Sequence, residues 1–243
     1  MLKDKLIRDG YWLFKFRGQF PLLLIALSVP AIFFNPILIS TEIRSLFFII
    51  GIIFICVGFV IRFTTVGMRA KFSSGRNRTH HHTSILEVNG WYSATRNPLY
   101  LANFLIWMGI SIHIVNPYYS IILLLIFWIF IERIILSEES YLHEKFGEEY
   151  DSYCHKTNVF IPKFKNWKSS DKIFSVKTVL KNEYPGISAT CLVVWIIHYL
   201  NRIKIQKDFT VNNYDLYLIS AVFCFALLMK LIKSYTLFFK EFD

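Results

Sequence analysis

Two stretches of the sequence carry the residue types that chemistry needs. The first, Val88 to Leu101, reads Val-Asn-Gly-Trp-Tyr-Ser-Ala-Thr-Arg-Asn-Pro-Leu-Tyr-Leu. Gly90 permits a tight turn, and Pro98 suits the first turn of a helix. Arg96 and Asn97 are then expected just outside that helix's N-terminus, where free backbone N–H groups and the helix dipole favour an anion. Tyr92 and Tyr100 bracket the same place. The second stretch, Glu132 to Leu142, holds Arg133, Glu138 and Glu139 and is followed by Phe146, Gly147, Tyr150 and Tyr153. Acids and an arginine at the end of an apolar helix are costly unless they are paired or face a polar cavity. Glu138 shares a helix face with Leu142, and Glu139 is turned about 100° away. Upstream, Arg76 and Arg78, together with Arg133, are candidates to hold an anionic headgroup, because guanidinium matches phosphate in a bidentate way. Taken singly, Arg96 or Arg133 reads equally well as an interfacial anchor.

The elements that must position these residues are apolar helices. Of 243 residues, 54% are hydrophobic and 18% charged, against roughly 25% charged in a soluble domain. A spanning helix needs about 20 mostly apolar residues. Six such runs are expected: Phe20–Ile39, Ser45–Phe63, Leu99–Val115, Tyr118–Leu136, Gly186–Leu200 and Tyr214–Ile232. The fold expected is all-α, a polytopic integral membrane protein with about six transmembrane helices. Asn116-Pro117 leaves no room for a domain, so the third and fourth spans form a tight hairpin. That brings Arg96, Asn97 and Tyr100 to the membrane face that also carries Arg133, Glu138 and Glu139. Lys and Arg concentrate at the N-terminus and in the connections after spans two and four, which places both termini in the cytoplasm. Arg202, Lys204 and Lys207 run against that count. The chain divides into residues 1–66 (an arm and two spans), 67–165 (a core with two spans) and 166–243 (a linker and a helical pair). Segment Asp171–Tyr184 is expected as an amphipathic surface helix or a linker. No cleavable leader is expected, since the first apolar run follows a charged and aromatic stretch.

The pattern Gly-x-Tyr-x-x-x-Arg-Asn-Pro-x-Tyr-Leu from Gly90, then Asn116-Pro117, Arg-Ile-x-x-x-Glu-Glu-x-x-Leu from Arg133, and Phe-Gly-x-x-Tyr-x-x-Tyr from Phe146 resembles the isoprenylcysteine carboxyl methyltransferase and phospholipid methyltransferase superfamily. Ser74-Gly75-Arg76-Asn77 makes it most similar to the bacterial lipid A phosphate methyltransferase group. The resemblance implies an S-adenosylmethionine pocket at the cytoplasmic face, lined by Gly90, Tyr92, Arg96, Asn97, Pro98 and Tyr100 and closed by Glu138 and Glu139. It implies catalytic roles for Arg96, Arg133 and Glu138, and a site in a bacterial inner membrane. The sequence departs by carrying Asn97 where many members have His; Asn hydrogen-bonds but does not titrate near neutrality.

The implied chemistry needs no metal. Methyl transfer from a sulfonium is an in-line displacement, a phosphate or carboxylate oxygen is already anionic, and positioning alone supplies ~7–11 kcal/mol. A lipid phosphate such as that of lipid A is the expected acceptor; the alternatives are a prenylated cysteine carboxylate and a phospholipid amine. The partners expected are a lipid substrate and membrane lipids. Nucleic acid is not expected, because the +10 net charge sits between apolar runs, where anionic headgroups account for it. His80-His81-His82 has no spaced Cys or acid to complete a metal site. Other classes remain: a nicotinamide-dependent membrane reductase, or a non-catalytic transporter or scaffold, the latter needing polar residues at the bilayer midplane. Replacing Glu138 with Gln or Arg96 with Ala is expected to cut activity more than tenfold, about 1.4 kcal/mol, with little change in detergent stability.

Overall fold

The computed structural model describes residues 1–35, 40–68, 83, 85–236 and 238–239, with the side chains of Phe20 and Asn166 left aside. Arg76, Arg78 and His80 to His82 lie outside the described residues. The chain runs α1 (Leu2–Phe16), α2 (Phe20–Phe33), α3 (Thr41–Gly67), α4 (Trp91–Ala94), α5 (Pro98–Ile112), α6 (Pro117–Phe146), α7 (Glu148–Lys156), a 3-10 turn (Phe164–Asn166), α8 (Val176–Gln206) and α9 (Asn213–Tyr235). The all-helical expectation holds.

The span count is corrected. Among the described residues, helices α3, α6, α8 and α9 are long and apolar enough to cross a bilayer, and α1 and α2, bent by 81°, make a fifth if they count as one span. The third expected span is α5, which has 15 residues. At 1.5 Å per residue it reaches about 22 Å, short of a hydrocarbon core of about 30 Å. It stops because His113 to Val115 form a turn in which Val115 takes φ 57°. Asn116 then caps α6 by accepting from the Tyr119 N–H at 3.2 Å. The fifth expected span grows instead of shrinking: α8 has 31 residues and absorbs Val176 to Tyr184. That part of the Asp171–Tyr184 segment is therefore neither a separate surface helix nor a linker. Ser175 caps it through the Thr178 N–H.

The exposed surface of these helices identifies their solvent. In α9 only 11% of the apolar window is buried, and Leu216, Phe223, Leu227, Leu228 and Leu231 point outward. A contiguous apolar face of that size is stable against lipid rather than water. Inside, Leu24, Ile32, Ile55, Ile106, Ile110, Leu123, Val193 and Ile197 share one cluster between α2, α3, α5, α6 and α8.

Small residues let α3 and α5 approach closely, as glycine and alanine do in membrane bundles. A Cβ on Gly109 would lie 2.6 Å from the Gly51 carbonyl oxygen, and one on Gly58 would lie 2.8 Å from that of Ala102. Backbone oxygens cannot step aside. Gly109→Ala is expected to cost about 1–3 kcal/mol. The measurement is the thermal midpoint in detergent, and an unchanged midpoint would show that the two helices pack less tightly. Helix α1 docks on α6 by a similar close approach: Gly10 rests on the Arg133 carbonyl and the Ser137 Cβ, and Phe14 joins Phe127, Phe130, Ile131 and Ile134.

Candidate functional site

The first stretch folds as a strap between two helices. Gly90 takes φ 61° and ψ −135°, a region that L side chains avoid. Its N–H donates to the Lys168 carbonyl at 2.8 Å. Ser93 Oγ donates to the Gly90 carbonyl at 2.7 Å and accepts from the Lys168 N–H at 2.9 Å. Thr95, fully buried, bridges to Asn158 and turns its hydroxyl to the carbonyls of Val159 and Phe160. The Arg96 N–H donates to the Asn158 carbonyl, and the Lys163 N–H to that of Ala94. The strap 90–97 is thus laced to 157–168, and α5 starts with Pro98 after it.

Four of the expected residues meet. Tyr100 Oη donates to Glu138 Oε1 at 2.9 Å. Arg96 Nε donates to Glu139 Oε1 at 3.0 Å, with Nη2 at 2.9 Å from the same oxygen. Adjacent acids on α6, splayed about 100° apart, therefore reach two positions of the strap and of α5. Arg96 Nη1 donates to the carbonyls of Thr157 at 2.8 Å and Cys154 at 3.2 Å. All three guanidinium nitrogens are engaged, so Arg96 pins the end of α7 to α6. Burial pulls its proton affinity down, but the charge and hydrogen bonds of Glu139 outweigh that and hold it above the ordinary arginine value.

Other expected residues sit differently. Asn97 is buried, and its amide donates to the Val159 carbonyl at 3.0 Å, which makes it a tie in the strap. Tyr92 contributes its carbonyl, which accepts from Tyr153 Oη at 2.7 Å. Arg133 turns back along its own helix and donates to the Ile129 carbonyl at 2.7 Å. The structure does not bring it to Arg96, because its helical position faces away from Glu138 and Glu139. Burial pushes the phenols of Tyr150 and Tyr153 well up, so both remain protonated donors. It also raises the Cys154 thiol, leaving no thiolate nucleophile there.

Three features were not anticipated. Arg17, at the end of α1, places a positive charge near Glu138 and Tyr100. Ser93 and Thr95 are strap ties whose short hydroxyls, in a predicted turn, were the available signal. The third is an ion pair below the strap: Arg62 Nε donates to Glu183, and Arg62 Nη1 donates to Asn103 Oδ1 at 2.6 Å. These residues join α3, α5 and α8. An arginine inside the run Ser45–Phe63 was itself a countable anomaly.

Comparisons with known proteins give the chain's family. A family model described as phospholipid methyltransferase matches residues 46–149, which include α3 from Leu46 onward, the strap, α5 and α6. A probable protein-S-isoprenylcysteine O-methyltransferase of Oryza sativa subsp. indica is 31% identical over 134 residues, covering 51% of this chain and 67% of that protein. Protein-S-isoprenylcysteine O-methyltransferase B of Arabidopsis thaliana is 31% identical over 121 residues, 46% of this chain and 57% of that one. The protein-S-isoprenylcysteine O-methyltransferase of Schizosaccharomyces pombe is 28% identical over 114 residues, 45% and 47% of the two chains. No solved structure gives a significant match. The shared stretch holds both halves of the site, Arg96 with Tyr100 and Glu138 with Glu139, and the chain belongs to the phospholipid and isoprenylcysteine carboxyl methyltransferase family of membrane methyltransferases.

Proposed function

We propose that this protein transfers a methyl group from S-adenosylmethionine to an anionic oxygen on a lipid-attached acceptor, with the carboxylate of a prenylated cysteine ranking first. The observation that carries the reading is the meeting of Tyr100–Glu138 and Arg96–Glu139 where α5 begins and α6 ends. Its chemistry fits the cofactor. A carboxylate held by a phenol is the anionic element that a sulfonium or an ammonium group would meet, and Glu138 is partly exposed. When bound, the cofactor supplies an electrophilic methyl group. The chain's own residues then do the positioning. Glu138 sets the negative charge beside that group, Arg96 fixes the strap, Gly90 gives the strap its turn, and Pro98 starts α5. Glu139 holds Arg96 and therefore acts through it. Arg133 serves as an interfacial anchor on this reading.

The preference among acceptors has changed from the sequence expectation. Relatives named as isoprenylcysteine O-methyltransferases favour the carboxylate. The second reading, a lipid phosphate such as that of lipid A, rests on Arg76 and Arg78, which lie outside the described residues, on the Lys-rich connection after α6, and on the subgroup resemblance at Ser74 to Asn77. An amine acceptor would need a base to remove its proton, and Asn97 is not one. A cytoplasmic orientation of the site follows from the count of Lys and Arg in the connections.

The test combines calorimetry with S-adenosylmethionine and transfer of labelled methyl to an S-farnesylated cysteine, to phospholipid and to lipid A. Cofactor binding with a base-labile methyl ester on the farnesylated cysteine is the expected result. Label on lipid phosphate alone would replace the acceptor and keep the chemistry. A folded protein that binds nicotinamide cofactor and not S-adenosylmethionine would overturn the reading.

A further inference from the structure

At the end of the bundle away from Arg96, helices α3, α5 and α8 enclose a notch of about 40 Å³ lined by Arg44, Phe48, His113, His198 and Asn201. Arg44 and Arg62 lie on α3 eighteen residues apart (62 − 44), so the notch is about 27 Å along that helix from the Arg62–Glu183 pair. It belongs to the opposite membrane face and is separate from the methyl-transfer site.

The notch has an apolar wall and an unbalanced polar floor. His113 is 8% exposed, its ring packs against Gly51 of α3, and among the described residues its Nε2 has no hydrogen-bond partner. Leaving such a group unmatched in a low-dielectric setting costs free energy. Asn201 is already committed. Its amide donates to the His113 and Ile197 carbonyls, and its Oδ1 accepts from Arg44 Nη1 at 3.3 Å. Arg44 is thereby aimed, with its remaining N–H donors uncommitted to any described side chain. Lys204 donates to the Asn35 carbonyl at 2.6 Å and lies close enough to Arg44 for the two charges to repel. Among the described residues no carboxylate pairs with either cation. Arg202, by contrast, is matched by Asp215 at 2.7 Å. Two unneutralised cations held together at a membrane face, beside an unsatisfied imidazole, call for an anion.

The rim says which anion. Phe48 and His198 are exposed on the outer surface of the bundle, so the notch opens sideways, where lipid lies. A cavity of this size takes a few waters or the leading oxygens of a larger group. We propose that the notch binds the phosphate of an anionic phospholipid from the leaflet opposite the reaction. Arg44 and Lys204 supply the charge, the exposed His198 supplies a hydrogen bond at a phosphate oxygen, and Phe48 carries the start of an acyl chain. The same partner accounts for Lys204 lying on the face where the count of Lys and Arg expects few.

Native mass spectrometry of the full chain in detergent tests this with phosphatidylglycerol, phosphatidylcholine and inorganic phosphate as probes. Wild type should retain phosphatidylglycerol at least fivefold more than phosphatidylcholine. Arg44→Gln and, at the exposed rim, His198→Leu should each bring that ratio close to one, while Lys172→Gln, a solvated lysine on the other face, should leave it unchanged. Retained cofactor binding in the variants reports that they are folded. A ratio unaffected by both notch variants would overturn the proposal, as would displacement of the lipid by millimolar inorganic phosphate, which would make this a free-phosphate site.

Discussion

Replacing Arg62 with alanine is expected to destabilise the protein by about 3–5 kcal/mol, the cost of leaving a buried charge without its partner. Glu183 is 3% exposed, and Arg62 is the only cation among the described residues to pair with it. Asn103 would lose its donor from Nη1 at the same time. The loss should appear as a lower thermal midpoint in detergent and as easier proteolysis near the start of α8. Glu183→Ala should be comparably harmful. The double variant Arg62→Met, Glu183→Leu should recover most of the loss, because removing both charges also removes their desolvation. Single and double variants of equal stability would mean that the pair is solvated in the membrane and ties nothing together.

Glu138→Gln is expected to lower methyl transfer more than tenfold, about 1.4 kcal/mol in the barrier, with no change in the thermal midpoint. Glutamine keeps an acceptor oxygen for Tyr100 and removes the negative charge, replacing the other carboxylate oxygen with an amide nitrogen. Arg96→Ala should behave differently, and here the structure revises the expectation of unchanged stability. Its guanidinium holds Glu139 and the carbonyls of Cys154 and Thr157, so activity and stability should fall together. The stability loss should be at least about 1.5–3 kcal/mol, the worth of hydrogen bonds to a charged group. Arg96→Lys should not rescue it, since a single ammonium cannot reach three directions from a planar fork's positions. Wild-type turnover in Glu138→Gln would remove that carboxylate from the site. An Arg96→Ala protein that is inactive at full stability would restore Arg96 to a direct role.

The sequence by itself determined the helical class, the membrane setting and the meeting of the two motifs. Apolar runs such as Tyr118–Leu136 can bury their backbone polar groups in lipid only as helices. Asn116-Pro117 forces α5 and α6 to be neighbours, and that alone carries Arg96 and Tyr100 toward Glu138 and Glu139. Tertiary structure decided everything that depends on what a side chain finds on arrival. Asn97 and Arg96 lie beside each other in sequence just as an anion site requires, yet the Asn97 amide and Arg96 Nη1 are spent on the 154–159 segment and the rest of the Arg96 fork on Glu139. Nothing local specifies that segment's return. Arg133 is chemically the equal of Arg96 but sits on the wrong side of α6 by helical phase. The length of α5 was hidden for a similar reason: Leu99–Val115 is apolar enough to read as one run, and the turn at Val115, held by Asn35 reaching to its carbonyl, ends the helix early. Arg62 and Glu183 are 121 residues apart. Arg62 looks unfavourable in its apolar run and Glu183 looks solvated among Lys181 and Asn182, and only the packing of α3 against α8 makes them one buried pair.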